Sequence, residues 1–578
     1  MAEPLTMLRG TPAARGVAHA PAHVVAPALT ALPDLPPPVD PAAEEAAAHA
    51  ALNAVAADMR ARGMTSTPVA REVLEALAAL VEDPALSAEV DRRVAAREPA
   101  AAAAWGAFET FAGMLEALGG AFAERASDLL DLRRRVAARL LGLPDGDTDL
   151  GGDGGPVVLV AEDLAPADTA TLDPRHVVAL VTERGGPTSH TAIVARSLGI
   201  PAVVGVRDAR ALTPGTPLCV DGDRGEVLLE PPAEEVARRL DGARARRDAA
   251  ARVRGPGRTA DDVPISLLVN AGGPGDVAEL DDGCAGVGLL RTELLFLHRE
   301  DAPSVEEQRD LYRAVLERLE GRTAVVRTLD AGSDKPVPFL SAAAEANPAL
   351  GVRGYRIDRI APNVLDDQLR AIALAAEGLE VELRVMGPMI STVGEADAFV
   401  RRAHGHGLGS AGVMVEVPAL ALCADELMEV VDFISLGTND LSQYGLAACR
   451  TLGELADLLD PWQPGLLRLM AMALGAAREH GVPAGVCGEA AGDELLACVL
   501  VGLGATSLST SGAALPVVRA ALANHTLASC EAAAAAALQA LTPADAATRA
   551  ATAIRPARTP QAPAAGAMHP PTPIRSPT

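Results

Sequence analysis

Aromatic side chains are nearly missing from this chain. Phe, Tyr and Trp together make up 2% of 578 residues, so any large core must rest on Leu, Val and Ala within a hydrophobic share of 49%. The seven cysteines (Cys219, Cys284, Cys423, Cys449, Cys487, Cys498, Cys530) are scattered, odd in number and form no Cys-x-x-Cys. That excludes a disulfide framework and a zinc ribbon, and it fits a reducing compartment. Cys284, Cys423 and Cys498 are expected to be small buried hydrophobes. Positive charge is outnumbered, with 50 Lys and Arg against 76 Asp and Glu, a net charge of -26 and a pI near 4.9. Nucleic acid and anionic membrane surfaces are poor partners for such a chain, whereas a basic protein would be steered towards it. The start of the chain shows no basic region followed by an apolar stretch, so no signal peptide, no membrane insertion and a cytoplasmic location are expected. Lysine is the rarest absence of all: Lys335 stands alone among the 50 basic residues. A compact ammonium and a planar guanidinium are not interchangeable at a crowded site, and chance survival is the alternative.

The length implies about three or four domains. Residues 8–30 read as short β structure closed by a Pro-rich turn at 32–41. Residues 42–143 are dominated by Ala, Glu, Leu and Arg, with breaks at 63–68, 83–84, 98–99 and 119–120, which is the pattern of an inserted helical bundle. Strands at 156–160, 176–181, 201–204, 217–220 and 226–229 alternate with short helices in a compact α/β unit. A charged helix at 233–253, flanked by Pro231-Pro232 and Gly255-Pro-Gly257, reads as a connector. Eight strand-plus-helix units follow, with strands at 265–270, 286–290, 324–327, 381–386, 412–416, 433–436, 483–486 and 506–508. Eight is the count of a (β/α)8 barrel, whose active sites lie at the C-terminal ends of the strands. Residues 546–578, rich in Ala, Pro and Thr, are expected to be disordered.

His190 sits where a loop becomes a helix, in Gly185-Gly-Pro-Thr-Ser-His190-Thr-Ala-Ile-Val-Ala-Arg196. Glycines and free amides at a helix start can hold an anion, and a neutral imidazole there can attack phosphorus. A capped helix with a bystander histidine fits these residues equally well.

At the strand ends, Arg291 (in Gly288-Leu-Leu-Arg-Thr-Glu293) and Arg327 (in Val326-Arg-Thr-Leu-Asp330) suit a phosphate and a carboxylate. Taken singly, each is more readily a salt bridge to Glu293 or Asp330. Their equivalent positions favour anion binding, and Lys335 beside them then reads as functional. Arg353, on a loop placed to fold over the mouth, is expected to join the substrate-binding residues, as is Asp440. Glu416 and Asp440 match the oxygen ligands of Mg2+, with paired-carboxylate hydrolysis as the alternative. Asn439 can donate to a substrate, and Arg450 follows on the next segment. Cys487 is a candidate proton donor to an enolate carbon, or a buried small hydrophobe.

The His190 loop closely resembles the phosphohistidine loop of enzyme I of the bacterial phosphotransferase system, and the barrel segments resemble its phosphoenolpyruvate barrel in the same order. This resemblance covers nearly the whole chain. It implies an α/β multidomain protein: a swivelling α/β phosphohistidine domain (1–35 with 144–230), an inserted helical domain that docks the carrier protein HPr (36–143), a linker helix and hinge (231–258), a (β/α)8 TIM barrel (259–545) through which members dimerise, and a tail (546–578). It further implies that Arg291, Arg327, Asn439 and Arg450 bind phosphoenolpyruvate, that Glu416 and Asp440 hold Mg2+, and that Cys487 is the proton donor. On the same grounds His190 carries the phosphoryl group on Nε2, pyruvate is released, and the phosphate passes to HPr for sugar uptake. The sequence departs from the family pattern at Pro187, where many members have Arg, at Gly387, where an aromatic often stands, and at Cys449, where Asp commonly precedes the matching arginine. A phosphoenolpyruvate synthase or pyruvate phosphate dikinase shares the loop and barrel, but the helical insertion has no Gly-rich phosphate loop for ATP. A regulatory scaffold that signals by phosphorylation state is the third reading.

Overall fold

In the computed structural model the described residues are 6–25, 29, 31–65, 68–118, 121–143, 155–164, 172–186, 190–278, 280–295, 301–332, 337, 339–340, 345, 347–450 and 452–556. Three strands form near the start, β1 (Met7–Arg9), β2 (Thr11–Ala14) and β3 (Val17–Val24), the last turning Ala18, Ala20 and Ala22 inward and His19 and Pro21 outward. They join β4 (Val157–Ala161), β5 (Val177–Thr182), β6 (Ala202–Val204), β7 (Pro217–Asp221) and β8 (Glu226–Leu229) in one eight-stranded sheet of order β1-β8-β7-β3-β4-β5-β6-β2. β3 and β4 lie side by side and parallel, with Ala22 opposite Val158. Everything between them is therefore an insertion that leaves the sheet and returns to the adjacent position.

That insertion is helical: α1 (Pro41–Thr65), α2 (Pro68–Val81), α3 (Pro84–Ala95), α4 (Ala100–Leu118) and α5 (Ala121–Leu140). Proline opens three of them, where its missing N–H costs nothing, and Asp83 caps α3 by accepting from Ala85 N at 2.7 Å. Ala, Leu and Val fill its core around Phe108, in keeping with the shortage of aromatics.

The connecting helix Ala233–Arg252 is fastened to the sheet it follows. Arg239 reaches Asp221 of β7 at 2.8 Å, Glu226 of β8 at 2.9 Å and Glu235 of its own helix at 2.8 Å. Its apolar face closes a small core with Val17, Cys219 and Leu228. After this helix, Gly255 adopts a left-handed φ of 87° that a side chain would disfavour.

The second half closes into a barrel of eight parallel strands: β9 (Ser266–Ala271), β10 (Gly286–Arg291), β11 (Thr323–Arg327), β12 (Glu382–Gly387), β13 (Ala411–Val415), β14 (Phe433–Leu436), β15 (Ala484–Val486) and β16 (Ser507–Thr510). Each matches an expected strand to within one or two residues. β16 pairs back onto β9. Apolar shells pack the helices on the outside, and Leu289, Val325, Met386, Met414, Phe433 and Cys487 fill the inside.

Two expectations need correction. The segment expected to be disordered from residue 546 is still helical, in Pro543–Ala553, and Ala546 and Ala550 are buried against the barrel core. Alanine at that spacing gives a helix both propensity and a packable face. Residues 557–578 lie outside the described residues. Cys423, expected to be buried, is exposed, because it falls at the turn between two short helices.

Candidate active site

His190 is the first residue of the helix His190–Leu198, which follows β5 through a turn in which Gly185 takes a φ of 94°. Thr191 is fully buried and its hydroxyl donates to Asp163 Oδ1 at 3.2 Å, fixing the first turn against the end of β4. The side chain of His190 lies outside the described residues, as do Pro187, Thr188 and Ser189.

At the barrel's C-terminal mouth the sequence candidates come together. Arg291 and Arg327 are register partners at the ends of adjacent strands. Arg291 is exposed. Arg327 is buried, donates to Glu293 and lies 3.1 Å from Asp330, so each of the two salt-bridge partners considered from sequence does engage this one arginine. Burial opposes its charge, but Glu293 and Asp330 outweigh that and raise its pKa. Its Nε is buried with no hydrogen-bond partner.

Arg353 is not a loop residue folded over an open mouth. It is completely buried, its Nε and Nη2 pair with Asp330 at 2.9 and 3.1 Å, and its Nη1 donates to Asp440 at 3.0 Å and to Tyr444 Oη at 3.2 Å. Two buried carboxylates demanded a fork of donors, and arginine supplies it. Asp440 accepts a second time, from Arg450 Nη1 at 3.3 Å. Arg450 is therefore oriented without the acidic neighbour replaced by Cys449.

Glu416 is fully buried at the end of β13. Its Oε1 accepts from Met389 N at 2.6 Å, and Met389 holds a left-handed φ of 58° to present that amide. Its Oε2 is buried with no partner. Burial, then Asp440 and Asp330, push the Glu416 carboxyl up to about 8, against Arg327 and Arg353. A buried carboxyl oxygen with no partner, close enough to Asp440 to feel its charge, has the hard oxygen chemistry that a divalent cation takes. Glu416 and Asp440 thus fit a divalent cation. Gly437 is required here, because a Cβ would stand 2.9 Å from Glu416 Oε2.

Cys487 ends β15 with its thiol buried in the barrel interior, donating to Leu436 O at 3.4 Å. Burial pushes this thiol up, so it stays protonated at neutral pH. Asn270 Nδ2 supports the backbone by donating to Cys487 O at 3.1 Å, and Ser509 in turn donates to Asn270 at 2.7 Å. Asn439 lies in the first turn of the helix Thr438–Gly445, where its Oδ1 accepts from Glu489 N at 3.4 Å. The loop approaches closely because residue 488 is glycine: a Cβ there would meet Thr438 Oγ1 at 1.7 Å.

At Gly387 a Cβ would lie 3.1 Å from the Phe399 ring, so the aromatic expected at that position is supplied instead by the following helix. Lys335 lies outside the described residues. The bridging role of Asp330, the Met389 amide and Tyr444 were missed from the sequence, and only the short spacing of Asp330 from Arg327 carried any signal.

Three family descriptions match the chain in order: "PEP-utilising enzyme, N-terminal" over 9–125, "PEP-utilising enzyme, mobile domain" over 154–225 and "PEP-utilising enzyme, PEP-binding domain" over 246–527. A phosphoenolpyruvate-protein phosphotransferase of Streptomyces coelicolor is 48% identical over 541 residues, spanning 92% of this chain and 96% of that protein. The chain belongs to the enzyme I family of phosphoenolpyruvate-protein phosphotransferases. Enzymes of the same name from Haloferax volcanii, 41% identical over 78% of this chain and 81% of that protein, and from Bacillus subtilis, 40% identical over 68% of this chain and 71% of that protein, extend the relationship. The mobile-domain match contains His190 and the PEP-binding match contains the barrel mouth. Among the described residues no helix is long and apolar enough to cross a membrane.

Proposed function

We propose that the chain transfers the phosphoryl group of phosphoenolpyruvate to its own His190 and then to a histidine of HPr, as the first step of sugar uptake in the cytoplasm. The observation that carries this reading is the barrel mouth, where the unpartnered Arg327 Nε and Glu416 Oε2 are buried on groups that act electrostatically on each other and on the Cys487 thiol. Arg291, Arg327, Lys335, Asn439 and Arg450 bind the substrate, and Arg353 holds Asp440 in place. Glu416 and Asp440 would hold Mg2+, which when bound would offset negative charge on the substrate.

His190 Nε2 attacks phosphorus, and the bond from phosphorus to the enol oxygen breaks. The electron pair left on the enolate takes a proton from the Cys487 thiol at carbon, giving pyruvate and a thiolate that recovers its proton from solvent. Beyond the His190 nucleophile itself, such a transfer depends on positioning and charge neutralisation, supplied by arginines at adjacent strand ends and a preorganised carboxylate pair. Because His190 and Cys487 belong to different domains, the α/β domain swivels on a hinge near Gly255 to deliver phospho-His190 to HPr at α1–α5; the second hinge expected from the sequence, near Gly151, lies outside the described residues. The chain works as a homodimer through the barrel. Radiolabelled phosphoenolpyruvate with Mg2+ and purified HPr should move label onto HPr through the chain; label that never leaves the chain would favour the scaffold reading instead.

A further inference from the structure

The short stretch from Cys487 to Asp493 faces two ways. Inward, Cys487 lines the barrel and the Glu489 amide touches Asn439. Outward, it carries two carboxylates that meet two arginines of the His190 domain. Arg196 Nη2 lies 3.5 Å from Glu489 Oε1, and Arg15 Nη2 donates to Asp493 Oδ2 at 3.1 Å across 478 residues of chain.

Both arginines are well placed to report where His190 is. Arg196 stands on the helix that begins with His190, and its Nη1 also donates to Ala13 O of β2 at 3.2 Å, tying the helix to the sheet. Arg15 occupies the turn between β2 and β3. The carboxylates are equally fixed. Asp493 uses Oδ1 to cap the helix Glu494–Leu503, accepting from Leu495 N and Leu496 N at 3.0 and 2.8 Å, which leaves Oδ2 for Arg15. Glu489 follows Gly488, whose close approach to Thr438 sets the height of the rim above Asn439.

All four side chains are partly exposed. Pairs of that kind set register and partner choice more than they add affinity, which suits a domain that must dock and leave. We propose that Arg15 and Arg196 are positioning residues that seat the His190 domain on the Glu489 and Asp493 rim for the phosphoenolpyruvate half-reaction, and release it for transfer to the carrier. The inference rests on the reading above, that His190 is phosphorylated at the barrel.

The test is single-turnover labelling of the full chain by radiolabelled phosphoenolpyruvate with Mg2+ at saturating substrate. Arg15→Glu and Arg196→Glu should each slow labelling about tenfold, since like charges now face each other at the rim. Substrate affinity, measured by calorimetry in a His190→Ala background, should be unchanged by either. Adding Glu489→Arg to Arg196→Glu should restore most of the rate, which loss of folding would not allow. Once labelled, the variants should pass phosphate to HPr at the wild-type rate. Labelling of the single variants at the wild-type rate, or a charge swap as slow as Arg196→Glu alone, overturns the inference. A wild-type chain that takes no label overturns the underlying reading and the inference together.

Discussion

Arg353 Nη1 donates to Asp440 Oδ1 at 3.0 Å, inside a site from which solvent is fully excluded on the arginine side. The same guanidinium grips Asp330 with its other two nitrogens, so one cation bridges two buried carboxylates that Arg327 and Arg450 each contact from one side only. Removing it by Arg353→Met should cost the barrel about 3–5 kcal/mol, the usual result of stranding buried charge. The midpoint of denaturant unfolding followed at the barrel checks this. Arg353→Lys should recover part of the loss, because an ammonium cannot serve both carboxylates with a planar fork.

Glu416 should make cation binding pH-dependent. With its carboxyl pushed up to about 8, the metal-free protein holds a proton there that binding must displace. Affinity for Mg2+ should therefore rise about tenfold per pH unit up to roughly pH 8 and level off above it, as calorimetry in a pH series can measure. The folding sign is opposite to that of a paired carboxylate. The unfolded chain loses this proton above about pH 4.3, so the metal-free fold is progressively destabilised from there to about pH 8, and Mg2+ offsets that loss.

Gly437 sets how far Glu416 can reach. A Cβ at this position would stand 2.9 Å from both Glu416 Oε2 and Met414 Sδ. Gly437→Ala should weaken Mg2+ affinity by about 10- to 100-fold, the scale on which supporting groups around a metal act. A Mg2+ titration of turnover gives the value, with near-normal rates at saturating metal.

Cys487 should act after phosphoryl transfer. Cys487→Ala should slow pyruvate formation by about 10²- to 10⁴-fold, the range of a positioned general acid. Exchange of pyruvate methyl protons into D2O, followed by NMR, isolates the step: the wild type should catalyse it and the variant should not. Equal exchange in both would return Cys487 to the status of a buried hydrophobe.

Most of the architecture was legible because it is repetitive. Eight apolar runs at barrel spacing, and Pro or Gly at each helix break, are local signals that tertiary packing reinforces. The sites at the strand ends followed from the fold rule for barrels. What stayed hidden depends on contacts across the chain. Nothing local to Arg353 shows that it is buried between carboxylates from two different segments, and the left-handed backbone of Met389 has no sequence signature because a non-glycine there is an exception. The helix Pro543–Ala553 was lost in a region whose alanine content reads as low complexity once proline follows it. Arg15 and Arg196 gave no hint of touching the barrel, since charged residues on a surface are the ordinary case.

The proposed reaction runs through phosphorylation of His190. The full chain, incubated with phosphoenolpyruvate and Mg2+ and analysed by mass spectrometry under neutral and acidic conditions, should carry one acid-labile phosphate on the peptide containing His190, and His190→Ala should carry none. Phosphate on the His190→Ala chain, or an acid-stable phosphate elsewhere in the wild type, would contradict the account.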